Sequence, residues 1–214
     1  MGSQERVKMS FYQFTPQYAF GTASEPFVHW NNGFSSDEID EIIKVGESLD
    51  TEDARVGIPK DNPDIAPEDL RKTKLSWIEH QHAPWLYDRL AWIMNQLNGQ
   101  FYKFDITGFN EHLQFGIYDK DDHYDWHIDA GPSVGSDNID SRAPRKLSLC
   151  MQLSDPDDYE GGELEIMTAN RGAAIAKTRG LITVFPSYTL HRVRPVTKGI
   201  RKSLVVWASG PQFR

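Results

Sequence analysis

HLQFGIYDKDDHYDWHID, residues 112–129, sets two short β-type runs around an acidic turn and ends in a His-x-Asp pair. The first run, His112 to Tyr118, is too short for a helix and is bounded by turn-forming residues, as a strand is. The second, Asp125 to Asp129, is predicted to carry His127 and Asp129 on one face, since strand side chains two apart point the same way. Similar short runs lie outward on both sides: Phe101 to Thr107, Lys146 to Leu153, Glu163 to Met167, Leu181 to Phe185, His191 to Val196 and Lys202 to Ala208. Eight strands at turn-punctuated spacing predict a jelly roll or barrel.

Upstream the pattern is helical. Ser35-Ser36-Asp37-Glu38 reads as a capping box, and Ile39, Ile42, Ile43, Gly46 and Leu49 follow at helical spacing. Ile58 to Asp69 contains three prolines and several carboxylates and is read as a surface loop. Lys74 to Ile78 is a strand candidate. Trp85 to Leu97 is a second helix with Leu86, Leu90, Ile93, Met94 and Leu97 as its apolar stripe, and Asn98-Gly99 is expected to stop it. The change near residue 100 is read as a change of layer, helices packed outside a β core, within one domain spanning 1–214.

With 214 residues and 39% hydrophobic content, the chain can fill one large core. A formal net charge of −8 opposes general nucleic-acid binding, which depends on Lys and Arg neutralising phosphates. No apolar run approaches the roughly 20 residues that span a bilayer, and Met1 to Ser10 has no apolar signal core, so no membrane is expected and the cytoplasm is. The single cysteine, Cys150, alternates with Leu147, Leu149, Met151 and Leu153 and is read as a small buried strand residue.

His127, Asp129 and His191 are the candidate metal ligands. Two imidazoles and a carboxylate can occupy one face of a redox metal and leave the opposite positions open. An H-x-D pair alone is a weak signal, but the later His191, followed by Pro195-Val196 and by Gly199-Ile200-Arg201-Lys202-Ser203, makes the set specific. Zinc accepts the same donors and leaves a position open when catalytic, so the ligands alone fit either metal. Arg201 favours iron, because a fixed cation suits a dicarboxylate co-substrate that meets the metal at one end and a guanidinium at the other. Arg201, Ser203, Val205 and Trp207 share one strand parity, which predicts a carboxylate pocket with an aromatic wall. The plainer alternative makes Arg201 and Lys202 a solvated charge pair after the Thr197-Lys198-Gly199 turn. His29, His80, His82, His112 and His123 lack comparable context.

These residues together resemble a known family. Y-x5-Y-x2-H-x-D at Tyr118, Tyr124, His127 and Asp129, E-G-G-E-L at Glu160 to Leu164, and H-x-V-x-P-V-x-x-G-x-R from His191 to Arg201 are similar to motifs of the Fe(II)- and 2-oxoglutarate-dependent dioxygenases, in particular the prolyl 4-hydroxylase-like branch. The resemblance covers residues 101–210. It implies a mainly β fold, a double-stranded β-helix (jelly roll, cupin-like) over 101–210, with 1–100 as a helical support layer and loops. It implies Fe(II) held by His127, Asp129 and His191, and 2-oxoglutarate and O2 as co-substrates, with ascorbate as accessory reductant. Arg201 would bind the distal carboxylate of 2-oxoglutarate, Tyr118 would hydrogen-bond the same molecule, and Ser203 and Trp207 would line its pocket. Tyr124 and Arg145 fall where such hydroxylases contact their substrate. Asp129 places the chain with hydroxylases, since related halogenases resemble the pattern with a small residue there. Two departures stand out: Arg201 where many collagen-type enzymes look to have Lys, and Asp121 where the branch often has Gly.

The implied reaction is hydroxylation of a C–H bond, prolyl 4-hydroxylation in a peptide or protein, releasing succinate and CO2. A free amino acid or other small molecule is the alternative substrate. From other classes, a cupin-like zinc metalloprotein or a non-catalytic binding module could keep the three ligands, but neither needs a second carboxylate anchor at Arg201 and Ser203. Substrate contacts are expected from Asp119 to His123, Gly131 to Arg145 and Asn62 to Arg71, because loops on rigid scaffolds carry specificity. The acidic cluster Asp119, Asp121, Asp122 and Asp125 is read as a wet loop.

Overall fold

The computed structural model describes residues 25–54, 67–130 and 143–212. The expected loop Ile58 to Asp69 and the segment Gly131 to Arg145 fall largely outside them.

The capping box forms as the sequence predicts. Ser35 Oγ accepts from the Glu38 amide at 3.2 Å, and Glu38 Oε2 accepts from the Ser35 amide at 2.8 Å. The helix Ser36–Ser48 follows and buries Ile39, Ile42 and Gly46. The second helix, Pro84–Leu97, gains a proline in its first turn, where a missing amide hydrogen costs nothing. It buries all five residues of the predicted stripe.

Both helices cover one face of a large antiparallel sheet. Its central strands are Ile182–Pro186, Arg145–Gln152, Arg201–Ser209, Leu113–Tyr118 and Lys74–Ile78, in that spatial order, with Val28–Trp30 beyond the first and Glu52–Asp53 beyond the last. A smaller antiparallel sheet, ordered Arg171–Ala174, Leu164–Thr168, His191–Val193, His123–His127 and Arg71–Lys72, faces it. The architecture is a double-stranded β-helix with a helical layer on the outside of one sheet. Strand parity divides the large sheet. Leu147, Leu149, Met151, Leu204, Val206 and Ala208 join Leu86, Leu90 and Met94 in the main core, while Cys150, Val205 and Phe185 face the small sheet with Leu164 and Ile166. Each fully buried leucine contributes roughly 1.5–3 kcal/mol.

Four expectations are corrected. Asn98-Gly99 does not stop the second helix, which runs on through a π-helical turn, Asn98–Tyr102, and ends at left-handed Lys103. The Asn98 side chain bonds both the amide and the carbonyl of Phe104 at 2.9 Å, closing that turn. Phe101 to Thr107 is consequently no strand; Tyr102 is buried and donates its hydroxyl to Val184 O at 3.0 Å. The strand expected over Asp125 to Asp129 is His123–His127, leaving Asp129 beyond its end. The strand expected over His191 to Val196 breaks after Val193 and resumes as Val196–Gly199, paired with Tyr159–Gly161. Pro195 has no amide hydrogen for the ladder, and its carbonyl accepts from Gly162 N instead.

Gly46 marks the tightest contact between helix and sheet. A Cβ there would lie 2.5 Å from the ring of Phe115, which is fully buried. Overpacking of this kind costs about 1–3 kcal/mol, and the helix propensity gained by replacing glycine returns about 1 kcal/mol. Gly46→Ala is therefore expected to lower stability by up to about 2 kcal/mol, or up to about 8 °C in thermal midpoint. Circular dichroism melting checks this, and Gly46→Ala should cost less when made in a Phe115→Leu background, where the clash is relieved, than in the wild type.

Candidate metal and co-substrate site

His127 ends one strand of the small sheet and His191 opens its neighbour, and the two residues are directly paired across the antiparallel ladder. Their ring centroids are 4.1 Å apart. Asp129 reaches them from past the strand end because its amide, and that of Ala130, both donate to Ser187 O at 2.8 Å. This fold-back, rather than strand parity, turns the carboxylate inward while Ile128 is left 50% exposed. Asp129 Oδ1 lies 3.7 Å from His127 Nε2, and Oδ2 lies 3.4 Å from His191 Nε2. One ligand atom from each residue falls within 4.8 Å of the others.

The protonation pattern suits metal binding. His127 Nδ1 lies 2.7 Å from Asp125 O and His191 Nδ1 lies 2.9 Å from Thr189 O. A carbonyl only accepts, so each Nδ1 carries the hydrogen and each Nε2 presents a lone pair to the shared space. Burial holds the His127 imidazole neutral, far below its ordinary value. Burial alone would raise the Asp129 carboxyl, but attraction to any positive charge taken up by the His191 and His127 rings, the hydrogen bond from Ser148 and the Trp207 indole favour its ionised form and bring it below the usual carboxylate value. Ser148 Oγ donates to Asp129 Oδ2 at 2.7 Å and lies 3.0 Å from Ser187 Oγ. Two imidazoles and an ionised carboxylate on one side of an open cavity fit Fe(II) with positions left for other ligands.

Arg201 lines the same cavity, of about 870 Å³, and is fully buried. Its Nη1 donates to Ser203 Oγ at 3.1 Å and its Nη2 to Gln152 Oε1 at 3.2 Å, while Nε has no partner. The alternative of a solvated Arg201–Lys202 pair does not hold. Tyr118 pairs with Arg201 across the ladder, and the guanidinium sits 5.0 Å from its ring centroid. Gly162, in the Glu160 to Leu164 motif, runs beside this cation: it has φ +63°, and a Cβ there would come within 3.0 Å of Arg201 Cδ. A buried cation with only neutral partners and one orphaned N–H is what a dicarboxylate would complete.

The remaining predicted residues also reach the cavity. Tyr118, Tyr124, Arg145, Ser203 and Trp207 all line it. Tyr124 lies flat on His127, centroids 3.4 Å apart. Arg145 is already engaged: Nε donates to Glu111 Oε2 at 2.6 Å, Nη2 donates to Oε1, and the guanidinium stacks 3.7 Å over Trp207. Burial pushes the Cys150 thiol up, making it an inert wall residue. Asp121 adopts φ +67°, a conformation glycine takes freely and aspartate tolerates, so the turn before Tyr124 is made without the glycine. Of the expected loops, the described parts of Asn62 to Arg71 and Gly131 to Arg145 place Leu70, Arg71 and Arg145 on the cavity wall; Asp119 to His123 does not line it.

Sequence reasoning missed Ser148, Ser187, Gln152 and Glu111. Ser148 and Gln152 had a usable signal, since they share parity with Cys150 on a strand whose other face is wholly apolar. Glu111 and Ser187 lie in connections and gave none.

Residues 113–209 match the model of the 2OG-Fe(II) oxygenase superfamily. Among curated proteins, a PKHD-type hydroxylase of Teredinibacter turnerae is 38% identical over 94 residues, 44% of this chain and 41% of the relative. Another, of Hyphomonas neptunium, is 42% identical over 86 residues, 40% of this chain and 37% of the relative. The aligned part spans about two fifths of these relatives' length. Among solved structures, a Trichoplax adhaerens prolyl hydroxylase in complex with a hypoxia inducible factor oxygen degradation domain peptide superposes with TM-score 0.67, 19% identity and coverage of 86% and 83% of the two chains. A Pseudomonas putida prolyl-4-hydroxylase gives 0.61, 18%, 87% and 94%. These likenesses are of fold. No helix among the described residues is long and apolar enough to cross a membrane.

Hydrogen bonds to metal-binding carboxylates are worth about 10–100-fold in metal affinity. Ser148→Ala is expected to weaken Co(II) or Fe(II) binding by that factor with the fold retained, and Asp129→Ala to lose it altogether. Titration followed by Co(II) absorption, with circular dichroism for folding, checks both.

Proposed function

We propose that this chain, whose residues 113–209 match the 2OG-Fe(II) oxygenase superfamily model, is an Fe(II)- and 2-oxoglutarate-dependent hydroxylase of the prolyl 4-hydroxylase-like type acting on a prolyl residue of a peptide or protein. The observation that carries the reading is the fully buried Arg201 guanidinium, lacking any carboxylate partner among the described residues, in one cavity with three converging metal ligands.

His127, Asp129 and His191 hold the metal through two Nε2 atoms and a carboxylate. Ser148, bonded to Asp129 Oδ2, fixes which carboxylate oxygen is free to turn toward it. Fe(II) bound there would supply the oxidation, in which 2-oxoglutarate and O2 become succinate and CO2 and one oxygen atom enters a substrate C–H bond. Arg201 receives the distal carboxylate of the keto acid, its fork already set by Ser203 and Gln152, so little rotational freedom is lost on binding. Leu164, Phe185, Val193 and Val205 give the cavity an apolar wall that would keep water from the reacting atoms. Tyr124, stacked on His127, and Arg145, braced by Glu111, form the wall on which a substrate would rest. Small misplacements there would cost rate heavily.

A peptide substrate is supported by the solved prolyl hydroxylase of similar fold that holds a peptide. A free amino acid or other small molecule is the second reading, and a cavity of about 870 Å³ has room for one beside the co-substrate. A zinc metalloprotein or a binding module would leave Arg201 buried without use.

Succinate release from 2-oxoglutarate with Fe(II), ascorbate and proline-containing peptides, with Zn(II) as control, tests the reading, and a mass gain of one oxygen on a peptide identifies the target. Arg201→Ala should raise the 2-oxoglutarate KM about 10–100-fold, from loss of charge-assisted hydrogen bonds. Unchanged co-substrate dependence, or equal activity with zinc, would refute it.

A further inference from the structure

One cation on the cavity wall has no part in the chemistry above. Arg71 opens the edge strand Arg71–Lys72 of the small sheet and is 8% exposed. It lines the cavity and lays its guanidinium over the Tyr124 ring, 4.4 Å from the centroid. Because Tyr124 lies flat on His127, Arg71 stands one aromatic ring away from a metal ligand. Its Nε and Nη2 are buried without a hydrogen-bond partner, and no carboxylate pairs with it among the described residues.

Its neighbours are provided for. Lys72 pairs with Asp122 at 3.2 Å, and Arg145 is held by both oxygens of Glu111. With the cavity loaded, the charges of Fe(II), Asp129, 2-oxoglutarate and Arg201 cancel, and so do those of Glu111 and Arg145. Glu52 and Asp125 also line the cavity, but both are exposed, where water screens them, and Glu52 already accepts the Trp77 indole N–H at 2.8 Å. Among the described residues, Arg71 is left uncompensated. The face of Tyr124 attracts a cation but satisfies none of its N–H groups, and a buried guanidinium without an acceptor is costly. Nor does Arg71 duplicate Arg201: one belongs to the small sheet and pairs with Tyr124, the other to the large sheet and pairs with Tyr118.

We infer that Arg71 receives a carboxylate of the primary substrate, so that the molecule hydroxylated carries an anionic carboxylate close to its target C–H bond. The inference rests on the hydroxylase reading and narrows its substrate class. The carboxylate is either the α-carboxylate of a free amino acid or peptide end, or an acidic side chain beside the target residue. A guanidinium matches both through the same two-pronged geometry.

The test uses matched probes: L-proline against L-prolinamide, acetyl-Gly-Pro against its C-terminal amide, and acetyl-Pro-Glu-amide against acetyl-Pro-Gln-amide. Binding is measured calorimetrically without oxygen on protein loaded with Mn(II) and 2-oxoglutarate, and KM and kcat by succinate release with Fe(II). In at least one pair the carboxylate member should be favoured about 10–100-fold. Which pair responds tells the α-carboxylate from the side-chain source. Arg71→Gln should abolish the preference, acting on KM more than kcat, and Arg71→Lys should keep part of it. Intact loading with no carboxylate preference in any pair, or a preference that survives in Arg71→Gln, overturns this inference alone. A wild-type protein that binds neither Mn(II) nor 2-oxoglutarate overturns the hydroxylase reading and this inference with it.

Discussion

The two-residue period of the strand Arg201–Ser209 ties the stability of this molecule to its chemistry. Leu204, Val206 and Ala208 seal the core beneath the helices, while Arg201, Ser203, Val205 and Trp207 line the cavity. A slip of one residue in register would drive the guanidinium into the leucine core and turn the apolar set toward His127, Asp129 and His191, so packing and the candidate site select the same register. The strand lies between Arg145–Gln152 and Leu113–Tyr118, paired with both, and this double pairing fixes which side chains face His127, Asp129 and His191.

What was legible in the sequence was local or periodic. Ser35 and Glu38 are three residues apart and bond each other whatever the tertiary structure, and the stripe from Leu86 to Leu97 repeats with the helix. The parity of 201, 203, 205 and 207 was readable for the same reason. Asp129 was placed in the cavity for the wrong cause: the residue leaves the strand, and amide bonds to Ser187, 58 positions later, aim it. Phe101 to Thr107 looked like a strand because aromatic residues favour one, yet Tyr102 finds its partner at Val184 and Asn98 ties the chain into a π turn. Long-range partners of this kind, Glu111 for Arg145 among them, leave no spacing in the sequence.

The cavity concentrates what a core ordinarily avoids. Asp129, Arg201 and Arg71 are each at least nine-tenths buried, and removing an ion from water costs several kcal/mol even after relaxation. Asp129 recovers part of this from Ser148 and the backbone that positions it, but Arg201 and Arg71 keep orphaned N–H groups. The apolar layer on the far side of the large sheet carries that burden, and anions entering the cavity would relieve it. Binding would then stabilise the protein as well as load it, in proportion to how tightly each ligand is held.

Arginine at position 201 follows from the same constraint. Ser203 and Gln152 each take one nitrogen of the fork, holding its plane while leaving Nε and the free edges of the nitrogens for a ligand. A lysine ammonium is a compact, strongly hydrated point charge on a flexible stem and could not be oriented by two neutral side chains while still presenting a flat double donor. The close passage of Gly162 against Arg201 Cδ shows that the stem of this arginine is fitted as closely as its head. The geometry at this end therefore suits a planar, two-oxygen anion.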